Sequence, residues 1–327
     1  MSKGQRLWNE AKKIIPGGNM LLSKRPEMFL PERWPSYFSS TNGCEVIDLD
    51  GNKFIDFSLM GVGTNTLGYS YHAVDSAVIQ TVKNGNVSTL NCKEEVLLAE
   101  QLIELHQWAD MVRLGRTGGE TAAISVRIAR AASGRDKVAV CGYHGWHDWY
   151  LAANISSNKN LEGHLLPGLE PKGVPQSLSD DIVTFHYNDI EAISKICKMP
   201  NVGVIMMEVS RNYQPENNFL KIVRDLATKN NIVLIFDECS SGFRETYGGL
   251  HLKYDVIPDL AWFGKALGNG YAITAVIGKK EIMSEAQSSF ISSTFWTERI
   301  GPTAGLATLK SMKIENSWLK ITEIGKK

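Results

Sequence analysis

The chain has 327 residues, 43% of them hydrophobic and 21% charged, the balance of a globular protein with room for two domains and a large core. Lys plus Arg and Asp plus Glu both number 35, so the zero net charge gives no electrostatic case for nucleic acid or an anionic membrane surface. No apolar run approaches the ~18 residues of a membrane-spanning helix.

Residues 1–18, MSKGQRLWNEAKKIIPGG, lack the apolar core of a signal peptide. They predict an amphipathic helix with Leu7, Trp8, Ala11, Ile14 and Ile15 on one stripe, ended by Pro16-Gly17-Gly18. Residues 24–34 are Pro-punctuated and loop-like. Cys44 to Phe57 predicts two strands joined by an Asp50-Gly51 turn. The Gly-rich stretch Ser58 to Gly68 is a loop, and helices follow over 72–83 and 94–106. From Met111 onward strands alternate with helices, the pattern of a mostly parallel, doubly wound α/β sheet. Strands are expected over 111–114, 137–141, 182–186, 203–208, 232–237, 260–263 and 272–278, with helices over 120–132, 190–197 and 218–229. Ser156 to Ser179 is rich in Asn, Gly and Pro and has the length of a lid or binding loop. A helix over 303–313 and a polar tail complete the chain. The five cysteines are scattered, mostly within apolar runs and without metal-type spacing, which predicts reduced core thiols in a cytoplasmic protein.

Two of the strands end on chemistry. The run Ile232 to Phe236 leads into Asp237-Glu238, and Leu260 to Phe263 leads into Gly264-Lys265. Parallel strands would deliver both side chains to the carboxyl edge of the sheet, where open α/β sheets place their ligands. One reading is a buried Asp–Lys ion pair. The other is a cofactor site, with a desolvated lysine able to form a Schiff base and an aspartate able to hold a protonated pyridine nitrogen. The turn Gly115-Arg116-Thr117-Gly118-Gly119-Glu120 lies between a strand and a helix and has the makings of an anion site. It is neither GxGxxG nor a Walker loop. His144 and His147 in Tyr143-His144-Gly145-Trp146-His147-Asp148 raise a metal reading, but no third ligand is evident. Glu208 closes another core strand, VGVIMME.

FDECSSGFR (236–244) followed by PDLAWFGKALGNG (258–270) resembles the class-III aminotransferase family, in particular the branch that includes glutamate-1-semialdehyde aminomutase. The resemblance extends from about Leu7 to about Leu309. It implies pyridoxal phosphate (PLP) fold type I, with Lys265 bound to the cofactor and Asp237 at its ring nitrogen. By the same mapping, Thr117, Gly118 and Gly119 cradle the phosphate, although Gly119 stands where the family carries Thr in Ser-Gly-Thr-Glu-Ala. Tyr143 and Cys239 clamp the two ring faces. Glu208 lies near the cofactor oxygen or the lysine, with Arg211-Asn212 as substrate-contact candidates. Thr294 reaches the phosphate of the neighbouring subunit in a homodimer. The family's Ser-Gly-Asn-Pro after that Thr is replaced here by Trp296 to Pro302, which argues against a strict semialdehyde aminomutase. The expected organisation is an N-terminal helix and meander (1–57), a PLP-binding large domain (58–285) and the start of a truncated small domain (286–327). The expected function is amino transfer from a small-molecule donor to a small carbonyl acceptor. Glutamate-1-semialdehyde 2,1-aminomutase and a truncated, non-catalytic PLP-binding homologue are the alternatives.

Overall fold

A computed structural model describes residues 1–157, 159–164 and 169–327 of the chain. Of the predicted Ser156–Ser179 loop, positions 158 and 165–168 therefore lie outside the described residues.

The N-terminal helix spans Lys3–Ile14, with Ser2 and Gln5 forming a capping box. It buries Gly4, Trp8 and Ala11, whereas Leu7 and Ile14 are exposed. The apolar stripe is thus narrower than expected, because the helix packs along Gly4, Trp8 and Ala11 on its own following segment, where Trp8 Nε1 donates to Glu27 Oε1 at 3.1 Å. Next comes a three-stranded antiparallel sheet, β1 (Phe38–Asn42), β2 (Glu45–Asp48) and β3 (Lys53–Ile55). Asp48 closes the β2–β3 turn by accepting from the N–H groups of Asp50 and Asn52. The expected pair of strands is present, but β1 was not anticipated: FSSTN is mostly exposed and carries no apolar alternation.

The main sheet contains β4 (Met111–Gly115), β5 (Lys137–Cys141), β6 (Ile182–Thr184), β7 (Val202–Glu208), β8 (Val233–Asp237), β9 (Leu260–Phe263) and β10 (Thr274–Gly278). Their spatial order is β4-β10-β9-β8-β7-β5-β6, and β10 alone runs against the others. Strands β7 to β10 are buried along their whole length, as expected of near-continuous apolar runs covered on both faces. Side-chain alternation sorts β8 between two cores. Val233 and Ile235 pack with Ala122, Val126 and Ala129 of the Gly118–Ser133 helix, while Leu234 and Phe236 pack with Phe219, Val223 and Ala227 of the Phe219–Lys229 helix. Asp237 therefore falls on the face of the Gly118–Ser133 helix and Glu238 on the opposite one.

Two sequence expectations are corrected. The polar tail is a helix, Ser317–Gly325, separated from Ile300–Glu315 by Asn316 in the left-handed region (φ 49°). It docks through Trp318, whose ring stacks on Tyr247 at 4.8 Å. The cysteines are not mostly core: Cys141 and Cys197 are buried, Cys92 and Cys239 partly so, and Cys44 is exposed.

Candidate active site

Because β5, β7, β8 and β9 are parallel, their carboxyl ends form one edge. Glu208 and Asp237 are register partners there, one strand apart on the same face. Asp237 is 3% exposed. Its Oδ2 accepts from His144 Nδ1 at 2.7 Å and its Oδ1 from the Cys239 N–H at 3.0 Å. His144, singled out in the sequence for a metal reading, instead orients this carboxylate. Its companion His147 turns away and packs over Gly119. Among the described residues no group of three or more His, Cys, Asp or Glu side chains is arranged to hold a metal ion.

Lys265 follows β9 in the left-handed region (φ 34°), a conformation costly for a non-Gly residue and found mainly at functional sites. Its Nζ donates to Ser240 Oγ at 2.6 Å. Among the described residues Lys265 and Asp237 form no ion pair, so the ion-pair reading of these two strand ends does not hold. Gly264 lets the strand end close on Cys239, since a Cβ there would lie 3.0 Å from Cys239 Sγ. Burial, reinforced by the charge of Asp237, pushes the Cys239 thiol up to about 12, so it presents a neutral, soft surface. Tyr143 is half-buried beside Tyr150, and burial pushes its phenol up.

Glu208 accepts from the Tyr143 N–H at 3.2 Å and from Arg211 Nη1 at 3.0 Å. Burial and then the charge of Asp237 push its carboxyl up to about 7, against the pull of Arg211. Thus the edge holds one carboxylate tied to an imidazole and a second that releases its proton near neutrality.

The phosphate-type turn precedes the Gly118–Ser133 helix, for which Thr117 is the N-cap. Glu120 Oε1 accepts the N–H groups of Arg116 and Thr117, while the first-turn N–H groups of Gly118 and Gly119 have no intrahelical acceptors. Two turns meet back to back here: Gly145 has φ +103°, and a Cβ on it would lie 2.8 Å from Gly119 Cα. Gly at 119 in place of a hydroxyl residue is therefore matched to the Tyr143–Gly145 turn. Thr121 Oγ1 bonds Thr274 Oγ1 of β10, tying the helix start to the sheet. Arg116, only 10% exposed at its side chain, donates to Glu298 Oε1 at 2.8 Å and to the Trp296 and Glu298 carbonyls. Glu298 in turn accepts the N–H groups of Ile300 and Gly301, capping the Ile300–Glu315 helix.

Behind the edge, on the other face of β8, Glu238 is bonded by His251 Nδ1 at 2.8 Å and by Ser241 Oγ. Trp108 Nε1 donates to His251 Nε2 at 2.9 Å, so His251 carries its proton on the nitrogen that faces Glu238. This buried network fixes the segment that presents Cys239 and Ser240.

The fold thus gathers Asp237, Lys265, Glu208, Cys239 and Tyr143 at one edge, with Thr117, Gly118 and Gly119 at the adjoining helix start. Thr294 is not among them. It is exposed on the short turn Thr294–Thr297 and is bonded, through its carbonyl, by Thr297 Oγ1. His144, Ser240 and Thr274 had not been assigned to the site. The Tyr-His-Gly motif held the one available hint, for His144.

A model of the family described as aminotransferase class-III matches residues 32–327. The chain belongs to the class-III aminotransferase family. It is 36% identical over 323 residues to the 3-aminobutyryl-CoA aminotransferase of Cloacimonas acidaminovorans, covering 96% of this chain and 73% of that protein. It is 31% identical over 331 residues to a glutamate-1-semialdehyde 2,1-aminomutase of Methanocaldococcus jannaschii, covering 95% and 73%. The crystal structure of an omega-transaminase from Sphaerobacter thermophilus superposes with a TM-score of 0.84 at 27% identity, covering 95% and 73%. As a class-III aminotransferase the protein is a PLP-dependent enzyme of fold type I. The residues present suit that cofactor. Asp237 keeps a spare lone pair on each oxygen, Lys265 has a hydroxyl rather than a carboxylate as partner, and a helix start offers two N–H groups without intrahelical acceptors.

Proposed function

We propose that this class-III aminotransferase moves an amino group from a small-molecule donor to a small carbonyl acceptor at the edge formed by β5, β7, β8 and β9. The observation that carries the reading is the pairing of Lys265 with Ser240 and not with Asp237, which leaves the amine and the carboxylate available to a ligand lying between them. When bound, PLP supplies an electron sink for the negative charge that builds on the substrate carbon. Asp237, steered by His144, would accept from a protonated ring nitrogen and keep that proton in place. Lys265 would hold the cofactor through Nζ and, whenever that amine is free, would be the base that takes the proton from the amine-bearing carbon of the substrate. Ser240 Oγ fixes where that amine waits. Gly118 and Gly119 N–H groups, with Thr117, receive the phosphate, and Tyr143 and Cys239 flank the ring.

Thr294 points into solvent in one protomer, which supports its use across a homodimer interface, at the phosphate of the partner's site. We take residues 58–285 as the cofactor-binding unit of each protomer. Five free cysteines fit a cytoplasmic enzyme.

Two readings of the reaction differ in one requirement. Intermolecular transfer needs a keto or aldehyde acceptor; an intramolecular aminomutase does not. The relative named 3-aminobutyryl-CoA aminotransferase, at 36% identity against 31% for the aminomutase, supports the first. The replacement of Ser-Gly-Asn-Pro by Trp296 to Pro302 supports it further. In a single-turnover experiment, an amino donor should convert the enzyme to its amine-loaded form and stop there until a keto acid is added. Complete, repeated turnover of glutamate 1-semialdehyde without any acceptor would favour the aminomutase.

A further inference from the structure

On the β5–β6 side of Glu208 lies a cavity of about 310 Å³ whose wall includes His164, His186, Glu208, Arg211 and Tyr213. His164 is 6% exposed. The Gly142 N–H donates to its Nδ1 at 2.9 Å, so that nitrogen holds a lone pair and the ring proton sits on Nε2. Burial, followed by the neighbouring His186 and His144, pushes this imidazole down to about 4, so it stays neutral at working pH. The Nε2 atom is buried and has no partner among the described residues. Buried donors are rarely left in that condition. Arg211, which lines the same cavity, spends Nη1 on Glu208, its single acceptor among the described residues. The rest of the guanidinium fork is uncommitted. Among the described residues Glu208 is the cavity's one carboxyl group, and it is already engaged by Arg211 and by the Tyr143 N–H.

We propose that this cavity binds a carboxylate, the acidic end of a substrate whose amine reaches the cofactor edge, with His164 Nε2–H and the outer N–H groups of Arg211 as its donors. A carboxylate answers both donors at once: two acceptor oxygens meet one neutral N–H and one cationic fork. A neutral amide would answer the guanidinium less well. The position fits, because Glu208 stands between the cavity and Asp237 as the latter's register partner. The proposal deepens the amino-transfer reading above and rests on it for the identity of the neighbouring edge.

Calorimetric titration of the PLP-loaded enzyme with n-butyrate and with butyramide tests it. Butyrate should bind about tenfold or more tightly than butyramide, the margin of a charge-assisted over a neutral hydrogen bond. His164→Asn keeps an acceptor for the Gly142 N–H but has no Nε2–H, and Arg211→Gln removes the fork. Each should weaken butyrate by about tenfold or more and leave butyramide unchanged. Arg127→Gln, an exposed position on the Gly118–Ser133 helix, should change neither. Equal affinity for the two probes overturns the proposal, as does undiminished butyrate binding in both cavity variants or an equal loss in Arg127→Gln. If His164→Asn fails to fold, the wild-type comparison and Arg211→Gln still decide. The visible absorption of lysine-bound PLP, read on the same samples, separates the two readings. Its absence beside intact butyrate binding sinks amino transfer alone; its presence with no butyrate binding sinks the carboxylate site alone.

Discussion

Replacing Glu208 by Gln should abolish a loss of stability that the wild-type protein suffers as pH rises from about 4.5 to about 7. The folded chain holds the Glu208 proton up to about 7, whereas the ordinary value of the side chain is 4.5. Burial is the main cause, and the charge of Asp237 adds to it; Arg211, His144 and the Tyr143 N–H pull the other way. Between those two values the folded state binds more protons than the unfolded state, so stability falls with rising pH. At roughly 1.4 kcal/mol per pKa unit, the displacement amounts to at most about 3 kcal/mol, fully expressed above about pH 7. Gln has nearly the same shape and no proton to release, so its stability curve lacks this slope. The assay is urea unfolding of the cofactor-free protein at pH 5, 6, 7 and 8, with wild type and Glu208→Gln side by side. The difference between them should grow in favour of Gln by about 2.5 kcal/mol from pH 5 to pH 8, the remainder having been lost below pH 5. Arg211→Gln, which removes the main opposing charge, should carry the loss on to higher pH and so enlarge it. Parallel curves for wild type and Glu208→Gln would refute the reasoning, because they would mean that Glu208 titrates alike in both states.

Two further substitutions probe how the site is built. Gly145→Ala places a Cβ 2.8 Å from Gly119 Cα at a φ of +103°, so it should cost about 1–3 kcal/mol in urea unfolding, and an unchanged midpoint would contradict the packing of the two turns. His144→Phe keeps a ring but removes the hydrogen bond to Asp237 Oδ2; PLP affinity, followed by titration of the cofactor-free protein, should fall about tenfold or more. Unaltered affinity would show that Asp237 needs no help from His144.

What the sequence disclosed was mostly what hydrophobic runs disclose. VGVIMME, IVLIF and LAWF are apolar throughout, and each ends abruptly on Glu208, Asp237 or Gly264-Lys265, so both the strands and their functional ends were readable. Strand β1 was not, because FSSTN is held by pairing with β2 and not by burial. The helix Ser317–Gly325 was hidden for a similar reason: most of its residues are exposed, and its docking depends on Trp318 meeting Tyr247, 71 positions earlier in the chain. Pairwise chemistry was the least legible. His144 lies 93 residues from Asp237, and Thr121 lies 153 from Thr274, and no local pattern announces such partners. The Asp–Lys ion pair was a fair expectation from spacing. It failed because Ser240, three residues beyond Asp237, takes the lysine instead.

The central claim is that Lys265 is the residue that holds PLP. Borohydride reduction of the PLP-loaded protein, followed by peptide mapping, tests it most directly. The account predicts a single reduced pyridoxyl adduct on Lys265, and none in Lys265→Ala. An adduct on another lysine, or continued turnover by Lys265→Ala, would contradict it.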